Sequence, residues 1–114
     1  MTICDHVFTR DELKKLAESG FGDMVKGVVD IRRNMLALDA DLHADLETLL
    51  LENGSDQKDL WGINLYPDEE ETEDFLEYSS LINIRPDDGN RTMDVKDIVL
   101  QERIAEVVEK WTKM

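Results

Sequence analysis

Five apolar side chains near the C-terminus, Leu100, Ile104, Val107, Val108 and Trp111, recur at i, i+4, i+7, i+8 and i+11. That spacing is one face of a helix. A helix apolar along a single stripe is stable when the stripe lies on another layer, so the rest of the chain must supply one. Asp97 stands where its carboxylate can cap the first turn.

Two short runs read as strands that can build that layer. Leu60 to Tyr66 is apolar and aromatic and stops at Pro67, with Trp61, Ile63 and Leu65 on one face. Tyr78 to Arg85 stops in the same way at Pro86, with Ser80, Ile82 and Ile84 on one face. Asp87-Asp88-Gly89-Asn90 is turn chemistry. Near the N-terminus, Thr9-Arg10-Asp11-Glu12 has the form of a capping box, and Phe8 and Leu13 can form the accompanying staple. This helix is expected over Arg10–Ser19, closed by Gly20.

Residues 24–53 admit two readings. Met24, Val28, Ile31, Met35, Leu38, Leu42, Asp45 and Leu49 recur at helical spacing, which would make one helix of about 30 residues. Gly27, the β-branched pair Val28-Val29 and the excessive length favour a hairpin instead. Its strands would lie near Val25–Ile31 and Met35–Asp39, with a turn at Arg32-Arg33-Asn34. A helix from Asp39 or Asp41 to Glu52 would follow, with Leu42, Leu46, Leu49 and Leu50 on one face and acidic residues at its start. The expected fold is a single α+β domain over residues 1–114. It has two layers, a mostly antiparallel sheet of about four strands in the order α-β-β-α-β-β-α, with the helices on one face. Residues 68–77 would form an acidic loop within it, since Asp68 to Asp74 holds six acidic residues in seven.

Composition limits the partners. The net charge is −14, and both halves are negative. Such a field repels nucleic acid and anionic membranes and suits a basic protein partner; self-association is the other interaction expected of a module this small. No run approaches the roughly 18 apolar residues of a spanning helix, and Met1 to Arg10 lacks a basic start followed by an apolar stretch, so a cytoplasmic location is expected. Cys4 is the one cysteine, which rules out an intramolecular disulfide and a cysteine-built zinc site within the chain. There is no phosphate-binding loop, dinucleotide fingerprint or serine elbow, so no cofactor is expected.

Two constellations can carry chemistry. His43, Asp45 and Glu47 sit at the start of a helix, with His43 and Glu47 four apart on one face. They are weak candidates for acid–base work; a metal site is not expected, because the second histidine of a metalloprotease helix is missing. Capping by the acids is the plain alternative. The other constellation follows from strand alternation. If Trp61, Ile63 and Leu65 pack under the helices, Gly62, Asn64 and Tyr66 face away. Pairing Tyr66 near Ser79 would bring Asn64, Leu81, Asn83 and Arg85 onto that second face. Together with Asn90 and Arg91 of the following turn they would make a ligand-reading surface, the arginines suiting carboxylate or phosphate. The competing reading is that the amides satisfy backbone groups and the arginines pair with surplus acids.

The segments LHADLETLLLENGS (42–55), DLWGINLYP (59–67), SSLINIRP (79–86) and GNR (89–91) resemble an uncharacterised family of short prokaryotic proteins known as a domain of unknown function. The resemblance covers nearly the whole chain and implies no activity. Relatives carry a glycine pair just before the helix, where this chain has Asp39-Ala40. The leading expectation is a small acidic interaction module, leaning away from an enzyme. The alternative is a small enzyme or ligand-binding protein with a polar site around His43, Asn83, Arg85 and Arg91.

Overall fold

A computed structural model describes residues 1–69 and 72–112. In chain order the elements are β1 (Thr2–Ile3), α1 (Arg10–Ser19), β2 (Val25–Asp30), β3 (Met35–Leu38), α2 (His43–Glu52), β4 (Leu60–Leu65), β5 (Leu76–Glu77) and α3 (Ile98–Thr112). The five strands form one antiparallel sheet in the order β1-β3-β2-β4-β5.

The hairpin reading of residues 24–53 holds. β2 and β3 pair with Val28 opposite Ala37 and Asp30 opposite Met35. Asp30, fully buried, closes the turn: its carboxylate accepts the backbone N–H groups of Arg32 and Arg33, both at 2.9 Å, and the Ser55 hydroxyl at 2.6 Å. Buried and fully hydrogen-bonded, this charge meets the condition under which an interior carboxylate is tolerated. Asn34, at φ 55°, completes the reversal. α3 locks onto the same turn, with Trp111 Nε1 donating to Asn34 O at 2.7 Å and Arg103 to Ile31 O at 2.5 Å. The capping box of α1 forms as expected, with Glu12 N–H donating to Thr9 Oγ1 and Thr9 N–H to Glu12 Oε1, each at 3.2 Å.

The helices do not lie on one face. Side-chain alternation sends Val25, Val29, Leu36, Leu38, Trp61, Ile63 and Leu65 to a core shared with α1 and α3. Val28, Ala37 and Leu60 point the other way, where Leu46 and Leu50 of α2 cover them. Every residue of β4 is buried, so the sheet is sandwiched between helices. The sequence expectation of two layers failed because Leu46, Leu49 and Leu50 show that α2 has an apolar face but not which side of the sheet it meets.

The strand expected over Tyr78–Arg85 does not form. Ser80 Oγ accepts the Ile82 N–H at 3.2 Å and starts a 3-10 turn over Leu81–Asn83. The strand beside β4 is β5, within the stretch read as an acidic loop, and it pairs only Asn64 with Glu77 and Leu65 with Leu76. Pro67–Glu69 and Glu73–Phe75 are 3-10 turns, with Thr72 capping the second; residues 70 and 71 lie outside the described residues. α2 begins at His43 rather than at Asp39 or Asp41. Asp39 takes φ 77° as β3 ends, and Leu42 occupies the cap position without a side-chain hydrogen bond. No helix among the described residues is long and apolar enough to cross a membrane.

Beyond β5, the edge of β4 is closed by side chains instead of a strand. Asn83 is fully buried; its Oδ1 accepts the Gly62 N–H at 2.8 Å and its Nδ2 donates to Gly62 O at 2.9 Å and to Met93 O at 3.1 Å. One amide thus reproduces the two-bond pattern of a paired strand residue. Arg85 continues the edge, donating to Leu60 O, and to Lys58 O at 3.2 Å. Gly62 is required here, because a Cβ at that position would stand 2.4 Å from Ser80 Cβ.

Candidate functional site

The side chains singled out in the sequence separate into three groups. His43 and Asn64 meet. His43 lies in the first turn of α2 with its ring turned onto β4, and Nε2 donates to Ile63 O at 2.8 Å. A carbonyl only accepts, so this bond fixes the proton on Nε2 and leaves Nδ1 as an acceptor in the neutral ring. Burial pushes the imidazole below its ordinary pKa, and the charge of Lys26 adds to that, against the hydrogen bond to Ile63. His43 is therefore neutral at neutral pH. Asn64 stands beside it on β4 and donates from Nδ2 to Glu77 Oε1 at 2.8 Å and to Ser79 O at 3.2 Å.

Asn83, Arg85 and Asn90 have their polar atoms engaged with the backbone. Asn83 and Arg85 close the β4 edge. Arg85 also lies over the Trp61 ring, 4.1 Å from its centroid. Burial lowers its pKa from the ordinary value, against the charge of Glu47. Asn90 ties the loop after the 3-10 turn: Nδ2 donates to Asn83 O at 2.7 Å, Asp94 O at 2.6 Å and Thr92 O at 3.1 Å, and Oδ1 accepts the Lys96 N–H at 3.1 Å. The ligand-reading surface expected from these residues needed a strand over Tyr78–Arg85. The turn at Leu81–Asn83 instead aims the Asn83 amide at main-chain groups. Asp45 and Arg91 are exposed, and Glu47 is half-buried on α2. None of these three lines the concavity at His43.

That concavity is a groove of about 450 Å³ between the start of α2 and the Ser79–Ile82 segment. Its polar floor includes Lys26, His43 and Asn64, and its rim includes Leu42, Leu81 and Met93. The rim is unusually exposed for apolar residues: 58% at Leu42, 72% at Leu81 and 41% at Met93. Contiguous exposed apolar surface around a concavity marks a place that takes a partner or ligand. The Lys26 ammonium sits over the Phe21 ring, 5.1 Å from its centroid. Sequence reasoning placed Leu81 beside Asn64, but not Leu42, Lys26 or Met93. Leu42 belongs to the helical leucine spacing, and its exposure follows from the late start of α2.

Glu77 links the groove to an acidic depression. It accepts from Asn64 on one side and from the Tyr66 hydroxyl at 3.1 Å on the other. Tyr66, Glu69, Glu73, Asp74 and Glu77 line this second concavity, of about 360 Å³. The charge and the Glu77 hydrogen bond, with burial as the leading cause, raise the Tyr66 pKa. Chemically the pair of concavities offers apolar contact, a few hydrogen-bonding groups and four carboxylates. Among the described residues no group of three or more His, Cys, Asp or Glu side chains is arranged to hold a metal ion.

Comparison with curated proteins finds no match, and neither does comparison with solved structures. A family model matches the chain over residues 2–111. The chain belongs to DUF5674, a family of proteins of unknown function.

Proposed function

We propose that this chain is a non-enzymatic interaction module that docks a basic segment of a protein partner. One apolar side chain of the segment fills the groove between Leu42 and Leu81, and flanking lysines or arginines meet Glu69, Glu73, Asp74 and Glu77. The observation that carries the reading is the continuity of an exposed apolar rim with a carboxylate-lined depression through one residue, Glu77. A buried apolar anchor of leucine size contributes about 1.5–3 kcal/mol. Charge complementarity adds steering and orientation more than affinity. A second copy of the chain fits less well as occupant, because it carries the same −14 charge.

The test is a heteronuclear NMR titration with a short peptide holding one leucine between lysines, beside an analogue in which glutamates replace the lysines. Saturable shifts at Leu42, Asn64, Glu77 and Leu81, weakened by added salt and absent for Leu81→Glu, support the reading. Equal shifts from the acidic analogue, or none from the basic peptide, overturn it.

A further inference from the structure

A third cleft, of about 480 Å³, shares no lining residue with the groove. It opens over the start of β4, bounded by the turn at Asp88–Asn90 and by the start of α3. Trp61 lines it and is 5% exposed. Its indole N–H is buried and has no acceptor among the described residues. A buried donor left unpaired is destabilising and calls for an explanation. The other indole of the chain shows the usual arrangement, donating to Asn34 O at 2.7 Å.

The surroundings of Trp61 are braced by hydrogen bonds and carry both charges. Arg85 lies against the ring, and Asn90 braces the neighbouring loop through four hydrogen bonds. Lys58 and Lys96 bring cations to the cleft, Lys96 also lying 3.7 Å from Asp94, and Asp88 and Asp97 bring carboxylates, with Asp97 Oδ1 already accepting the Val99 and Leu100 N–H groups at the start of α3. Asp59, also in the lining, is already paired with Arg32 at 3.1 Å. Leu100 supplies an apolar wall beside the indole. The volume is within the range of small-molecule sites and far exceeds the space of one water.

From these observations we infer that the cleft is a binding site for a small zwitterion of the free α-amino acid class. The ligand carboxylate lies in the field of Lys58 and Lys96 and accepts the Trp61 indole N–H. Its ammonium faces Asp88 and Asp97, and its side chain packs on Leu100. The indole nitrogen is closed to solvent, so ligand binding there requires a side-chain rotation at the cleft floor.

The indole N–H resonance of Trp61 reads this directly, because a free N–H moves downfield when it gains an acceptor. Either Trp61→Phe or Trp111→Phe assigns the two indole signals in the full chain. The titrants are the twenty common amino acids, then the N-acetyl and C-amide forms of any that bind. Binding is expected to move the Trp61 signal saturably, to weaken at least about tenfold when either charge is masked, and to weaken similarly in Lys58→Gln/Lys96→Gln. A Trp61 signal unmoved by every amino acid overturns the inference. So does a signal moved equally by masked and unmasked forms. The peptide titration at the groove reports on different residues, so either result stands without the other.

Discussion

Replacing Asn83 by alanine tests the idea that one amide does the work of a strand. The substitution removes the side-chain partner of two buried main-chain groups, the Gly62 N–H and Gly62 O, and one of two partners of Met93 O, which keeps the Ser80 N–H at 3.1 Å. Each orphaned group costs about 1–3 kcal/mol, and the site is closed to water, with Asn83 fully buried. Taking the low end for the two orphaned groups and adding a small cavity gives a loss of about 2–4 kcal/mol. Small domains have only about 5–15 kcal/mol in total. Urea unfolding followed by circular dichroism measures it. With an m-value of about 1–3 kcal/mol/M, the midpoint should fall by about 2 M. Asn83→Asp is the informative companion. It keeps the shape and the acceptor for the Gly62 N–H, but sets a carboxylate against Gly62 O and Met93 O, so it should cost at least as much as alanine. Amide exchange at Gly62 should accelerate selectively in both variants. A loss under about 1 kcal/mol for Asn83→Ala, with Gly62 exchange unchanged, would refute the strand-substitute argument.

Two further predictions follow from titration and burial. His6 lies between Asp5 and Glu12, 2.7 Å from each, and stacks on Phe8; its hydrogen bonds to Glu12 and then Asp5 raise its pKa. The stability it contributes is present below the ordinary histidine pKa of about 6.5 and is lost as pH rises through the raised folded value. Thermal melts across pH 5–9 should show that decline for the wild type and a flatter profile for His6→Gln; identical profiles would contradict it. Burial, with the nearby Asp5 charge, pushes the Cys4 thiol up to about 12. At pH 8 that leaves about one thiolate in ten thousand. A thiol reagent such as DTNB should label Cys4 only after denaturant is added, and rapid labelling of the native chain would contradict the burial.

Local signals carried much of the fold. The Thr9–Glu12 box, the Leu100–Trp111 stripe and the hairpin around Arg32–Asn34 are each written within a dozen residues, so propensity and spacing suffice to read them. The side of the sheet that α2 covers is not local information, and no periodicity contains it. The Tyr78–Arg85 segment failed for a related reason. Its alternation suits a strand, yet Ser80 starts a turn, and Asn83 finds a better partner 21 residues back at Gly62. In the candidate site, His43 and Asn64 were legible as polar residues on a helix start and a strand face. The expectation that Asn83 and Arg85 would join them assumed the missing strand. Leu42 and Met93 carried no signal, because an apolar residue in sequence is read as core until a tertiary contact fails to cover it.

The closure of β4 by Asn83 and Arg85 bears on how this protein fails. A sheet margin sealed by a neighbouring strand opens only when several hydrogen bonds break together. Here the stretch from Leu60 to Ile63 is shielded by two side chains, so one substitution bares main-chain donors and acceptors in an apolar strand. That is the template on which chains stack edge to edge into fibrils. Loss of either side chain is therefore expected to show as edge-to-edge association as well as unfolding, which light scattering from Asn83→Ala at rising concentration would detect.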